Sequence, residues 1–166
     1  IDFAESAVFE VSEDKIKPSF YPLSKIIEKS IDTIEDRQGK KSLITGVKTG
    51  LNKLDQLTSG LQKADLIILA ARPSMGKTAL ALNLARNAAI DVNVPTAVFS
   101  LEMSKEQLAM RMLCAEARVD SSKLRSGYFT KEDWKHLTDA ATLLSGAPIY
   151  IDDSADISAM EIRAKT

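Results

Sequence analysis

Along the first 40 residues, apolar side chains recur at helical spacing, and from residue 51 onward short apolar runs alternate with longer helical stripes. Ala4, Ala7, Val8 and Val11 predict a first helix, with Asp2 and Glu5 near its positive end. Residues 12–20, with Glu13, Asp14, Lys15, Lys17 and Pro18, show no period and read as a linker. From Pro22, a residue suited to a first turn, Leu23, Ile26, Ile27, Ile31 and Ile34 form one stripe, expected to run to Gln38 with Gly39 as its stop. Charged residues, among them Lys25, Glu28, Asp32 and Glu35, fill the other face. Such a stripe needs a cover, and spacing alone leaves that cover open between this chain's own domain and another subunit.

Leu51, Leu54 and Leu57 predict a short helix ended by Gly60, and Asp65 to Ala70 is a continuous apolar run of the kind a buried parallel strand shows. A helix over 78–89 and a strand over 96–99 complete a βαβ pattern. Ser104 with Gln107 forms a capping box that opens a helix to about Ala117. Thr130 with Asp133 resembles another, ahead of Trp134, Leu137, Ala141 and Leu144, with Gly146 and Pro148 closing that element. Ile149 to Ile151 then reads as a third strand, and Ser158 with Glu161 starts a last helix. A helix already under way at Ile1 and another interrupted at Thr166 read as an excerpt of a longer α/β protein.

Composition narrows the classes. With 22 basic against 23 acidic residues the formal charge is −1, so no bulk electrostatic case exists for nucleic-acid binding, and any such contact must be local. One cysteine and one histidine exclude an intramolecular disulfide and a zinc cluster, and point to a reducing compartment such as the cytoplasm. The run 66–71 is far shorter than the roughly 20 residues a membrane span needs.

The apolar run at 65–70 leads into Ala71-Arg72-Pro73-Ser74-Met75-Gly76-Lys77-Thr78, and an Ala- and Leu-rich helix follows at once. This is the context of a phosphate-binding loop, in which backbone N–H groups converge on a triphosphate at the positive end of a helix. Gly76 allows close backbone approach, Lys77 suits the β- and γ-phosphates, and the Thr78 hydroxyl suits Mg²⁺. Ala71 departs from the usual pattern, which has glycine at that position.

Glu102 follows the second strand at the sheet edge where ligands bind. Position alone leaves it divided between a carboxylate that orients attacking water and a solvated acid before a helix. Asp152 and Asp153 end the third strand, where a Mg²⁺-holding acid would stand, but the apolar run before them is short and Asp-Asp-Ser is ordinary turn chemistry. Cys114 reads as a small buried residue, His136 as exposed, and Trp134 as core.

The stretch Leu66 to Thr78, followed by Val98-Phe99-Ser100-Leu101-Glu102-Met103 and Tyr150-Ile151-Asp152-Asp153, resembles the bacterial replicative DNA helicases of the DnaB type. The resemblance implies a RecA-like P-loop NTPase fold, α/β with a parallel sheet, truncated here and preceded by a helical linker segment. In that family Ala commonly fills the first P-loop position, so Ala71 fits it. Residues 1–15 would be the end of an N-terminal helical domain, 16–45 a linker containing the amphipathic helix 21–38, and 46–166 the first part of the motor. The resemblance places the catalytic glutamate at Glu102 beside Lys77, the nucleotide on 71–78, and Mg²⁺ on Thr78, with the metal-holding Asp on a strand later than Asp152. It implies ATP and Mg²⁺ as nucleotide and cofactor, single-stranded DNA as track, a homo-hexameric ring assembled through the linker helix, and primase and helicase loader as partners. It favours ATP-driven DNA unwinding over two other readings, a RecA-like recombination or clock-type ATPase and a nucleotide-gated assembly module that turns nothing over.

Overall fold

A computed structural model of the chain describes residues 20–40 and 44–166. The helix and linker expected over residues 1–19 lie outside the described residues, apart from Phe20 at the linker's end. The chain divides into two compact units, Ile1–Ser42 and Leu43–Thr166.

In the first unit, α1 spans Leu23–Lys40. Gly39, expected as its stop, lies inside the last turn, because one glycine costs a helix only about 1 kcal/mol. Leu23, Ile26, Ile27, Ile31 and Ile34 are all exposed.

The second unit opens with α2 (Asn52–Thr58), ended by Ser59 and Gly60, both in the left-handed region. Its leucines do not form a core. The buried residue of α2 is Asp55, whose Oδ1 accepts the Thr49 N–H and hydroxyl, each at 2.8 Å, while Oδ2 accepts Gly50 N–H at 3.2 Å. A short polar bracket, not an apolar stripe, therefore holds this helix in place.

Helix α3 (Lys77–Arg86) runs directly into a π-helical turn, Asn87–Asp91, so the helical path ends two residues later than the spacing predicts. Then follow β1 (Thr96–Phe99), α4 (Lys105–Ala117), α5 (Ser121–Ser126), α6 (Lys131–Ser145), β2 (Ile149–Asp152) and α7 (Ala159–Lys165). α5 has no counterpart in the periodicity reading, since six residues are too few to show a period. Asp120 caps it by accepting Ser122 N–H at 2.7 Å, and Gly127 ends it with φ 75°.

β1 and β2 pair in parallel, Val98 opposite Ile151 and Phe99 opposite Asp152. Val98, Ile149 and Ile151 pack against Leu82, Leu108 and Met112 from α3 and α4, while Tyr150 on the alternate face is exposed. A second cluster, Ala117, Val119, Leu137 and Ala140, joins α4 to α6.

Two expectations are corrected. Residues 65–70 form no strand and belong to no ladder among the described residues, with Leu66 88% and Ile68 81% exposed. An apolar run becomes a strand only when a neighbour takes up its N–H and C=O groups, and no described segment pairs with this one. Trp134, expected in the core, is 60% exposed and stacks on Phe129 at 5.7 Å between centroids. Asp133 and Thr130 close the capping box at this end of α6, and the inward face is set by Leu137, Ala140 and Leu144 instead, leaving Ala141 outside. Cys114 is buried, which pushes its thiol pKa up, and His136 is exposed, both as read from the sequence.

Candidate functional site

The segment before α3 turns sharply because two residues adopt left-handed backbone, Ser74 at φ 63° and Gly76 at φ 89°. Met75 N–H donates to the Arg72 carbonyl at 3.3 Å across the bend, and Leu80 N–H donates to the Gly76 carbonyl at 2.9 Å as the helix begins. A Cβ placed on Gly76 would meet nothing within 4 Å. Glycine is thus required here by backbone conformation, and the space beside it stays open. No side chain caps this helix end, so its first amides keep their donors and the dipole its positive pole.

Lys77 and Thr78 are the first two residues of α3. With Glu102, Phe99 and Ser100 they line one cavity of about 910 Å³, whose other walls include Leu69 and Leu82. Lys77 and Glu102 are exposed, and neither forms an ion pair among the described residues. Ala71, Arg72, Pro73, Ser74, Met75 and Gly76 lead into the helix without lining that cavity, and all six are exposed. The fold therefore gathers three of the predicted residues, Lys77, Thr78 and Glu102, around one space although they are up to 25 positions apart in sequence.

Glu102 lies on the turn between β1 and α4. The Ser100 hydroxyl donates to the Met103 carbonyl at 2.7 Å and accepts Met103 N–H at 3.1 Å, so Leu101 and Glu102 form the tip of a closed loop. The acids after β2 are both engaged. Asp152 accepts Lys165 Nζ at 2.5 Å and Ser154 N–H at 2.9 Å, contacts that hold its carboxyl well below the usual range. Asp153 accepts the Lys105 N–H at 3.1 Å and Lys105 Nζ at 3.2 Å, and the backbone bond and then the ammonium lower its pKa. These are turn and anchoring contacts, in line with the turn chemistry of Asp-Asp-Ser.

Sequence reading missed two polar clusters. Asp55 is held below its ordinary pKa chiefly by the Thr49 N–H, and Asn87 Nδ2 donates to the Thr49 carbonyl at 2.8 Å, tying α2's bracket to the far end of α3. Arg86 donates to both oxygens of Glu116, at 2.7 and 3.0 Å, and to Asp91 at 2.7 Å, joining the helix after the loop to the helix after Glu102. The Arg86 and Glu116 positions, 30 apart, carry no local signal.

Residues 46–166 match the DnaB-like helicase C terminal domain family. The chain is 49% identical over 165 residues to the replicative DNA helicase DnaB of Geobacillus stearothermophilus, covering 99% of this chain and 36% of that protein. It is 48% identical over 162 residues to the replicative DNA helicase DnaC of Bacillus subtilis, covering 98% and 36%. Among solved structures, an ATPase domain superposes with TM-score 0.78 at 34% identity, over 84% of this chain and 50% of that one. A DnaB-like replicative helicase, described with its interactions with primase, superposes with TM-score 0.78 at 31% identity, over 98% and 37%. The chain thus spans about a third of the length of the curated relatives it matches. Its α/β architecture is that of a RecA-like helicase ATPase domain.

Proposed function

The chain belongs to the DnaB-like helicase C terminal domain family, and from that premise we propose that it carries the nucleotide-binding half of an ATP-dependent replicative DNA helicase motor. One observation supports this above the others: Lys77 and Thr78, at an uncapped helix N-terminus, share a cavity with Glu102. In this reading the amides of residues 71–78 and the Lys77 ammonium receive the phosphates of ATP, with Ala71 in place of the first glycine. Thr78, half-buried and without a side-chain hydrogen bond among the described residues, fits a hydroxyl ligand to Mg²⁺. Bound there, the ion would neutralise charge between the β- and γ-phosphates. Glu102 orients the attacking water and takes up its proton as the new P–O bond forms and the bond to the bridging oxygen of ADP breaks.

The remainder of the reading extends to the whole protein. Residues 1–15 end an N-terminal helical domain, 16–45 are a linker, and 46–166 begin the motor, which runs on single-stranded DNA in the cytoplasm. The exposed stripe of α1 packs on a neighbouring subunit of a hexameric ring, and primase and a helicase loader are the partners. Among the described residues no helix is long and apolar enough to cross a membrane.

The test is single-turnover hydrolysis of saturating ATP by the full-length Glu102→Gln protein, with nucleotide affinity and DNA unwinding measured alongside. Binding is expected to persist, while hydrolysis slows by about 10² or more and unwinding stops. A wild-type hydrolysis rate returns Glu102 to an acid at a helix start.

A further inference from the structure

We infer that Ser100 and Asp153 are positioning residues for Glu102, the serine closing the loop that carries it and the aspartate anchoring the helix which that loop enters. The inference rests on the reading of Glu102 as the residue that orients the attacking water.

No side-chain hydrogen bond or ion pair among the described residues holds the Glu102 carboxylate itself, so its location depends on its backbone. That backbone is fixed on both sides. Before it, Ser100 N–H donates to the Asp152 carbonyl at 2.8 Å, carrying the β1–β2 ladder one residue beyond Phe99. The Ser100 hydroxyl then spans the loop through its paired contacts with the Met103 carbonyl and N–H, at 2.7 and 3.1 Å. After it, Ser104 caps α4 together with Gln107, and the Asp153 carboxylate receives both the N–H and the ammonium of Lys105.

Ser100 and Asp153 stand just past the ends of two paired strands, so both clamps trace back to one sheet. The backbone that carries the carboxylate is thereby tied to that sheet edge. Glu102 also lies between Ser100 and Met103, the two residues the hydroxyl joins, so losing that hydroxyl frees Leu101 and Glu102 while β1, β2 and the core at Leu108 keep their contacts. Misplacing a reacting group by about 1 Å can cost about 10²-fold in rate, and a loosened loop tip gives part of that.

The experiment uses the full-length protein and three readouts: single-turnover ATP hydrolysis, affinity for a non-hydrolysable ATP analogue, and melting temperature. Ser100→Ala is expected to slow hydrolysis about tenfold with affinity changed by less than about twofold. Ser100→Thr, which keeps a hydroxyl, is expected within about threefold of wild type. In a Glu102→Gln background, Ser100→Ala should slow hydrolysis no further, because both changes act through one carboxylate. Asp153→Asn should show the same lack of additivity with a smaller single effect, and it carries the test if Ser100→Ala fails to fold. A wild-type rate in Ser100→Ala, or losses that multiply with Glu102→Gln, would overturn the positioning role while leaving Glu102 in place. A wild-type rate in Glu102→Gln alone removes the site reading and the positioning role together, an outcome distinct from either of those.

Discussion

Helices α4, α6 and α7 each begin at a hydroxyl residue, Ser104, Thr130 and Ser158, whose side chain accepts the third amide of the helix while that third residue reaches back to the cap. Helix α3 begins at Gly76, which has no side chain to offer and whose left-handed backbone aims the chain the other way. Both kinds of start leave the same donors to be satisfied, since every helix has orphan amides in its first turn. At each of the three capped ends one of those donors, the amide of the third residue, is satisfied by the cap, worth about 1 kcal/mol. At α3 they are left for something else. That contrast separates ends that stabilise the domain from the end that can serve a triphosphate, and it also separates changes that lower stability from changes that lower activity.

Three measurements sharpen or break the contrast. The largest effect is expected from Lys77→Ala in the full-length protein, with ATP binding or hydrolysis lost by 10²-fold or more, on the order expected for a phosphate-binding charge. Its melting temperature should stay close to that of wild type, because Lys77 is exposed and has no ion pair among the described residues. Wild-type ATP affinity together with a wild-type hydrolysis rate in that variant would remove the phosphate-loop assignment. At a capped end the pattern should reverse: Thr130→Ala is expected to cost about 1 kcal/mol in denaturant unfolding, with hydrolysis unchanged. A fall in activity larger than the fall in stability would show that α6 does more than support.

The smallest effect is that of acid on the carboxylates that hold helix starts. Asp133 is held below its ordinary value of 3.8, first by the Thr130 N–H and then by Lys123, and Asp55 is lowered chiefly by the Thr49 N–H. A carboxylate whose folded pKa is depressed adds stability at pH values above its unfolded pKa. That contribution is lost as pH falls through the folded value, so unfolding midpoints should be flat above about pH 5 and decline below the ordinary aspartate range. Asp133→Asn should flatten part of that decline. An unchanged acid limb in Asp133→Asn would mean that the charge contributes nothing to the start of α6.

Local rules made much of this legible in advance. All three capping boxes could be read from pairs three residues apart, because the interaction they describe is complete within one turn. The turn into α3 was legible for the same reason, as spacing between Gly76, Lys77 and Thr78 at a helix start. Three readings that depended on neighbours failed or fell short, although the two strands that pair with each other were found where expected. Residues 65–70 have the composition of a buried strand, yet no described segment pairs with them, and Trp134 has the spacing of a core residue but is exposed at the capped tip of α6, where it stacks on Phe129. α2 is placed by Asp55 rather than by its leucines, an exchange that hydropathy cannot register because the bracket is built from one carboxylate, two backbone amides and one hydroxyl.

The sequence by itself determined where α4, α6 and α7 start, that a glycine and not a capping hydroxyl precedes α3, and which residues share the order of a helicase motor family. These follow from interactions that span three or four residues, or from motifs read in a fixed order. Tertiary structure decided the rest: that Glu102 meets Lys77 and Thr78 around one cavity, that Ser100 and Asp153 clamp its loop from a single sheet edge, and that Arg86 joins Glu116 across 30 positions. Each of those contacts brings together groups whose separation along the chain bears no relation to their separation in space, and only the pairing of β1 with β2 and the packing of α3 on α4 supplies it.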